Sequence, residues 1–181
     1  MIHIEIIAGS PRQPSLNLRV AKYLHEQMQQ HQDIRTGLIA LNEVTFPFIQ
    51  QVWKNADDAP EALRAVAERM FTADGFIVCT PEYNGGYSPA MKNLFDHFPK
   101  QNKKPLGIVT SSDGRMGGMR AAQQMLQLVP ALFGIASPTL LIVPQAHLKF
   151  DENAALIDHS FEKNVHDFLS NYLWLVRKLV N

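Results

Sequence analysis

The sequence predicts an α/β domain in which a parallel sheet is covered by helices on both faces. Short apolar runs of strand length alternate along the chain with stretches in which apolar residues recur at helical spacing. Strands and helices that alternate in this way are typical of a parallel sheet. The 181 residues fit a single domain, spanning 1–181, and a hydrophobic content of 46% is enough for a substantial core.

Glycine, proline and polar clusters mark where the predicted elements end. The five strands are expected at residues 2–8, 34–40, 75–80, 104–111 and 135–143. The five helices are expected after Leu16, after Pro60, at 88–98, at 119–133 and from about Ile157 to Leu179. Residues 41–56 show no regular pattern and are expected to form a long loop.

Five parallel strands with single helical crossovers suit the strand order 2-1-3-4-5, because such crossovers are right-handed. This is the flavodoxin-like order, and it gives a three-layer sandwich. Ligands of open α/β sheets bind at the carboxyl ends of the strands, where the order reverses. The loops after strands 1 and 3 are therefore expected to lie side by side and to form a ligand crevice.

Composition and charge exclude several classes of function. Lysine plus arginine and aspartate plus glutamate both number 17, so there is no basic footprint for nucleic acid or for a charged membrane surface. No apolar run is long enough to cross a bilayer, and residues 1–8 do not resemble a signal peptide. We expect a cytoplasmic protein with neither a nucleic-acid partner nor a membrane partner.

The chain offers no obvious nucleophile or metal site. Cys79 is the only cysteine, and its apolar neighbours predict an inert core thiol. The seven histidines show no short ligand spacing on one predicted element. His97 is expected to be structural, while His159 and His166 are expected on the surface of the last helix.

The loop after strand 3, residues 81–89, is the most unusual stretch of the chain. Pro81 ends the strand ladder, and Gly85 and Gly86 permit the backbone to approach a flat ligand closely. Ser88 is a candidate N-cap, with Pro89 at the first helical position. The loop is either a rigid ligand-binding turn or an ordinary strand-to-helix connection.

The loop after strand 1, residues 9–17, suits a phosphate group. Ser10 and Ser15 offer hydroxyls, Arg12 offers a guanidinium, and the following helix offers the free N–H groups of its first turn. The loop matches neither the Walker A sequence nor the Gly-x-Gly-x-x-Gly loop. The alternative is that Ser15 is a simple helix cap and Arg12 a solvated surface charge.

The loop after strand 4, residues 111–120, contains three glycines within five residues. Such a chain can pass close to a planar ring, although a flexible surface turn would also explain it. One of the three loops therefore suits a phosphate, and the other two suit a flat heterocycle.

Three segments together resemble the NADPH-dependent FMN reductase family, which includes quinone, azo-dye and chromate reductases of flavodoxin-like fold. They are Gly9-Ser10-x-Arg12-x-x-Ser15-x-Asn17, Pro81-Glu82-Tyr83-Asn84 and Lys92-Asn93-x-x-Asp96. The resemblance covers about residues 1–150. The sequence departs from the family at Gly85-Gly86-Tyr87, where a serine-containing turn is common, and at Asp96-His97-Phe98, where Asp-Trp is common.

The resemblance also implies which residues bind the FMN. Ser10, Arg12, Ser15, Leu16 and Asn17 would hold its phosphate. Pro81, Glu82, Tyr83, Asn84 and Gly85 would line the isoalloxazine ring, and Ser111, Ser112 and Gly114 would close its other side.

The chemistry implied by the resemblance is hydride transfer from NADPH or NADH to the flavin, followed by transfer of the electrons to a small-molecule acceptor. Because the cofactor carries the difficult step, no catalytic side chain is expected. Three alternatives remain open: a flavodoxin-type electron carrier, a non-enzymatic flavin-binding protein and a phosphate-binding hydrolase. A neutral chain with Arg12 in its phosphate loop differs from the acidic carriers with a threonine-rich loop.

An apolar cluster in the long loop predicts association between copies of the chain. Phe46, Phe48, Ile49 and Trp53 lie there, and any part of them left exposed would indicate an interface. Members of the family resembled are commonly dimers or tetramers, so we expect a homodimer or a homotetramer. Arg115 and Arg120 are candidates for contact with the 2′-phosphate of NADPH.

Overall fold

The computed structural model describes residues 1–180 and contains a parallel sheet of the predicted order, β2-β1-β3-β4-β5. Its strands are β1 (Ile2–Ala8), β2 (Ile34–Ala40), β3 (Gly75–Thr80), β4 (Pro105–Ser111), β5 (Ile135–Ala136) and β6 (Leu141–Val143). Its helices are α1 (Leu16–Met28), α2 (Arg64–Thr72), α3 (Pro89–Asp96), α4 (Met119–Ala131) and α5 (Glu162–Val180). The flavodoxin-like order is confirmed.

The prediction of one continuous fifth strand is wrong, because the segment forms two short strands, β5 and β6. β5 pairs with the start of β4, and β6 pairs with its end. The backbone N–H of Ser137 still donates to the carbonyl of Leu106 at 2.8 Å, but the next residue is Pro138. Proline has no N–H to donate, so the ladder stops there and resumes at Leu141.

The predicted start of the last helix is wrong, because α5 begins at Glu162 and not near Ile157. The side chain of Asp158 accepts a hydrogen bond from the backbone N–H of Ser160 at 3.1 Å and caps a short 3₁₀ turn, His159–Phe161. Asp158 also pairs with Lys149, at 2.8 Å between carboxylate oxygen and Nζ. Residues 157 and 159 therefore lie outside α5.

Two apolar layers cover the sheet, one on each face. α1 and α5 pack on one face, where Val20, Leu24 and Met28 are fully buried as their spacing predicts. α2, α3 and α4 pack on the other face together with Trp53 from the long loop. The described helices include none long and apolar enough to cross a membrane.

A buried charged network includes His3 and Glu5, in the first half of β1. The Glu5 side chain is only 1% exposed and receives two hydrogen bonds from Arg69, at 2.9 Å from Nε and 2.5 Å from a terminal nitrogen. His3 Nε2 donates to the same carboxylate at 2.8 Å, and Arg35 donates to His3 Nδ1 at 2.8 Å. Because each buried polar group has a partner, the network stabilises this end of the sheet.

Candidate functional site

The loops that follow β1, β3 and β4 meet at one cleft beyond the carboxyl ends of these strands. The cleft has a volume of about 170 Å³ and is lined by residues from 10–17, 81–83 and 111–113. The three segments lie far apart in the sequence and are brought together because β1, β3 and β4 are adjacent in the sheet. This is the edge at which the strand order predicts a ligand.

The lining of the cleft contains ten of the thirteen residues named in the sequence analysis: Ser10, Arg12, Ser15, Leu16, Asn17, Pro81, Glu82, Tyr83, Ser111 and Ser112. The other three, Asn84, Gly85 and Gly114, lie outside this lining. Pro14 and Asp113 line the cleft although sequence reasoning passed over them. Their only signal was their position inside the two polar loops.

A tight turn explains why Asn84 and Gly85 are outside the lining. Tyr83 and Gly86 exchange two backbone hydrogen bonds, at 2.8 and 3.0 Å. The two residues between them have positive φ angles, 52° at Asn84 and 83° at Gly85, as in the tight turns of β-hairpins. The turn lies beside the start of α4, since a β-carbon on Gly85 would be 3.6 Å from Arg120 Cδ.

The amino-terminal end of α1 supplies the hydrogen-bond donors of the cleft. Ser15 caps this helix, since its Oγ accepts from the backbone N–H of Leu18 at 3.1 Å. The hydroxyl proton of Ser15 is left to donate elsewhere. The N–H groups of Leu16 and Asn17 belong to the first helical turn, which has no intrahelical acceptor for them. Together with the helix dipole, these donors favour an anion at this point.

Asn17 lies at the base of the cleft and is 2% exposed. Its Nδ2 donates to Ser111 Oγ at 3.3 Å, which connects the loop after β1 to the end of β4. Its Oδ1 is buried and has no hydrogen-bond partner within residues 1–180. A buried acceptor without a donor is unfavourable, so the base of the cleft suits a ligand that brings a hydroxyl.

Arg12 provides the positive charge at the mouth of the cleft. Its side chain is exposed, and its guanidinium carbon lies 4.3 Å from the centre of the Tyr83 ring. The backbone N–H of Arg12 donates to Ser10 Oγ at 3.3 Å, and Ser10 Oγ lies 3.1 Å from the Tyr83 hydroxyl. The three residues thus connect the loop after β1 to the loop after β3.

Ser88 also connects the loop after β1 to the loop after β3. As predicted, it caps α3, with Pro89 at the first helical position. Its hydroxyl donates to the carbonyl of Gly9 at 2.5 Å and accepts from the backbone N–H of Met91 at 3.1 Å. A β-carbon on Gly9 would collide with the Met91 side chain and lie 2.9 Å from the carbonyl oxygen of Cys79. Glycine is therefore required where β1 enters the loop.

Glu82 connects the loop after β3 to α4. Its Oε2 accepts from the backbone N–H groups of Arg120, at 3.1 Å, and Ala121, at 3.4 Å. Gly118, which precedes α4 with a φ of 87°, has no side chain that could cap the helix, so Glu82 takes that role. The Arg120 guanidinium lies 3.7 Å from the same carboxylate and is 79% exposed.

Several other residues named from the sequence lie away from the cleft lining. Burial raises the pKa of the Cys79 thiol, so the thiol stays protonated and is not a nucleophile. His97 is buried; its Nδ1 donates to the carbonyl of Asn93 at 2.7 Å, and its ring packs 4.5 Å from that of Trp53. A buried, hydrogen-bonded and packed ring is typical of a structural histidine. Arg115 is exposed and does not line the cleft.

Comparison with known proteins places the chain in a family. The family model described as NADPH-dependent FMN reductase matches residues 2–148. The FMN-dependent NADPH-azoreductase of Staphylococcus aureus (strain USA300) is 28% identical over 94% of this chain and 93% of its own length. The NADPH azoreductase of Bacillus sp. (strain OY1-2) is 24% identical over 96% of both.

Solved structures show the same fold. The flavoenzyme NAD(P)H:(acceptor) oxidoreductase FerB from Paracoccus denitrificans has a TM-score of 0.81, with 21% identity and 99% of both chains covered. A mutant flavodoxin from Pseudomonas aeruginosa has a TM-score of 0.60, with 15% identity over 95% of this chain and 99% of its own. Because the family model matches most of its length, the chain belongs to the NADPH-dependent FMN reductase family. It is an oxidoreductase whose cofactors are FMN and NADPH.

Proposed function

We propose that the cleft holds FMN and that the protein passes electrons from NADPH to quinones, azo compounds, chromate or free flavin. The convergence of Ser10, Arg12 and the first turn of α1 on one cleft carries the proposal. A flavin held there would supply the redox chemistry, taking a hydride from the nicotinamide and passing the two electrons on to an acceptor. The two azoreductase relatives support azo compounds as one class of acceptor.

The residues after β1 fit a phosphate monoester. The first-turn N–H groups of Leu16 and Asn17 and the hydroxyls of Ser10 and Ser15 would donate to the phosphate, and Arg12 would supply a fixed positive charge. Asn17 has in addition the unpartnered Oδ1, which would accept from a hydroxyl of the ribityl chain. The family cofactor contains both groups that these side chains require.

The ring is assigned to the loops after β3 and β4. Pro81, Glu82 and Tyr83 would contact it on one side, and Ser111 and Ser112 on the other. The cleft volume of about 170 Å³ is smaller than the roughly 300–1,000 Å³ of typical small-molecule sites.

We therefore assign part of the ring to the region beyond the cleft lining. Asn84 and Gly85 at the tip of the turn, and Gly114 in the loop after β4, would contact it there. These three residues lie outside the lining of the cleft itself.

No side chain is assigned a catalytic step. We assign to the protein the binding and orientation of the cofactor, and we assign no step to the protonated Cys79 or to the buried His97. Electron transfer to an acceptor requires only that one face of the flavin stays accessible.

We further propose that the protein is a cytoplasmic homodimer or homotetramer. Trp53 is buried and Phe46 packs on it, but Phe48 is 88% exposed and Val52 is also exposed. Large apolar side chains left in contact with water are typical of an interface. Light scattering should give a mass of at least twice the 20.4 kDa of one chain, and a monomer at micromolar protein would contradict this.

A binding and turnover experiment tests the proposed function. Apoprotein titrated with FMN should acquire the visible spectrum of a bound oxidised flavin and should then oxidise NADPH in the presence of a quinone or an azo dye. Riboflavin should bind more weakly because it lacks the phosphate. A protein that binds FMN but does not accelerate NADPH oxidation would be a carrier or a flavin-binding protein instead, and a protein that binds no flavin would contradict the proposal altogether.

A further inference from the structure

Glu82 joins the loop after β3 to the beginning of α4 through two hydrogen bonds. Its Oε2 accepts from the backbone N–H of Arg120 at 3.1 Å and from that of Ala121 at 3.4 Å. Both N–H groups belong to the first helical turn, where they have no intrahelical acceptor. The positive end of the helix dipole also favours a carboxylate at this point. The Glu82 side chain is 18% exposed, so water competes little for these bonds.

The residue that precedes α4 cannot replace this carboxylate. Gly118 lies there with a φ of 87° and has no side chain. A β-carbon on Gly118 would lie 2.9 Å from Thr110 Cβ, which is too close, and 3.7 Å from Glu82 Cβ. The glycine therefore allows β4, α4 and the loop after β3 to approach each other closely, and the cap of the helix comes from that loop.

The rest of the turn after Glu82 lies against the same helix. A β-carbon on Gly85 would lie 3.6 Å from Arg120 Cδ, and one on Gly86 would lie 3.0 Å from Gln124 Oε1. α4 itself is fixed, because its Met125 is fully buried in the apolar layer on this face of the sheet. The turn is thus aligned by a helix that the core holds in place.

The backbone of α4, and not the Arg120 side chain, makes the connection. The Arg120 guanidinium lies 3.7 Å from Glu82 Oε1 and is 79% exposed. Ion pairs in contact with water contribute little. The two hydrogen bonds from backbone N–H groups are therefore the interactions that a change at Glu82 would remove.

We propose that Glu82 is a positioning residue for the flavin ring, because its carboxylate holds the loop after β3 on α4 in one conformation. The inference rests on the proposed function, in which this loop contacts one side of the ring. It adds that the conformation of the loop depends on hydrogen bonds to α4 and exists before the ring binds. Without these bonds the loop must be ordered on binding, which costs affinity.

Amide hydrogen exchange in the apoprotein tests the connection without any flavin. In Glu82→Ala, the N–H groups of Arg120 and Ala121 lose their acceptor and should exchange about tenfold faster or more. Glu82→Gln keeps a carbonyl oxygen and should retain most of the protection. Protection in Glu82→Ala equal to that of the wild type would overturn the inference. If Glu82→Ala does not melt like the wild type, Glu82→Asp, which is one methylene shorter, takes its place in each measurement.

Titration of the apoprotein with FMN and with riboflavin tests the effect on the ring. Because the phosphate loop is unchanged, Glu82→Ala should weaken binding of both flavins by the same factor, roughly three- to tenfold. Glu82→Gln should bind both nearly as tightly as the wild type does. Gln127→Ala, at an exposed position of α4, is the matched control and should change nothing. A loss for FMN alone would place the effect at the phosphate, and the inference would be wrong.

Reduction by NADPH separates positioning of the ring from capping of the helix alone. At saturating FMN, the rate of flavin reduction in Glu82→Ala should fall about tenfold, since hydride transfer depends on orientation, and Glu82→Gln should restore most of it. A cap without a role in positioning would lower the melting temperature and leave both the flavin affinities and this rate unchanged, which would contradict the inference only. A wild-type protein that binds neither flavin would contradict the proposed function as well.

Discussion

The guanidinium of Arg12 lies over the ring of Tyr83, with its central carbon 4.3 Å from the ring centre. The two residues come from the loops after β1 and β3, so the contact spans the mouth of the cleft. The attraction between a cation and an aromatic face holds the exposed arginine beside the first turn of α1 before any ligand arrives. A charge that is already in position costs less ordering when an anion binds.

Replacement of Arg12 by alanine tests whether the arginine binds the FMN phosphate. Loss of a charge-assisted hydrogen bond of ~1.5–3 kcal/mol should weaken FMN binding about ten- to a hundredfold. Lys22→Ala, an exposed position of α1, is the control and should have little effect. The affinity for riboflavin, which has no phosphate, should barely change in either variant. An unchanged dissociation constant for FMN would reject the assignment.

We expect Tyr83 to hold the Arg12 guanidinium in position before FMN binds. Tyr83→Leu removes the aromatic face, which contributes ~0.5–1 kcal/mol at an exposed site, while Tyr83→Phe keeps it. FMN should therefore bind less tightly to the leucine variant than to the phenylalanine variant. The difference should disappear when Arg12 is alanine, because the partner of the ring is then absent. A difference of the same size in the Arg12→Ala background would show that the two side chains do not act together.

Gly85→Val tests the turn beside the proposed ring site. The φ of 83° penalises any β-branched residue by ~1–3 kcal/mol of strain, although an added β-carbon would meet only Arg120 Cδ, at 3.6 Å. We expect a folded protein that binds FMN poorly and is reduced slowly by NADPH even at saturating FMN. Gly114→Ala, where φ is ordinary and an added β-carbon would meet Ser112 Oγ at 3.7 Å, should be well tolerated. Reduction of the flavin at the wild-type rate in Gly85→Val would show that the turn does not shape the ring site.

The buried network of His3, Glu5 and Arg69 should matter for stability alone, because none of these residues lines the cleft. Arg69→Met removes two of the hydrogen bonds to a carboxylate that is almost fully buried, while the half-buried arginine itself is partly in water, so the loss should be ~1.5–3 kcal/mol. Urea unfolding should show this loss, while the affinity for FMN stays the same because Arg69 and Glu5 do not line the cleft. Arg64→Met, at an exposed position of the same helix, is the control. If the variant is as stable as the wild type, the hydrogen bond from His3 is enough to stabilise the buried Glu5 carboxylate.

Much of the fold could be predicted because alternating strands and helices leave few ways to build a parallel sheet. The two errors have local causes. Pro138 interrupts an apolar run whose pattern predicts one strand. The apolar pattern of the last helix begins near Ile157, but a turn capped by Asp158 comes first, so the helix begins later. In both cases a single side chain or a missing N–H outweighs the periodicity.

The site could be predicted only in part. The loops after β1, β3 and β4 lie together because these strands are neighbours in the sheet, which the predicted strand order already implies. The contact of Arg12 with Tyr83 and the capping of α4 by Glu82 join residues that are far apart in the sequence. Such contacts depend on side-chain torsions and on the exact approach of two loops, which no sequence pattern records.

FMN held in the cleft would take electrons from NADPH and pass them to a small acceptor. Anaerobic stopped-flow mixing of the FMN-loaded protein with NADPH should bleach the flavin absorbance, and a second mixing with a quinone should restore it, with both steps fast enough to account for steady-state turnover. Flavin that stays oxidised in the presence of NADPH would show that the protein does not transfer electrons from NADPH.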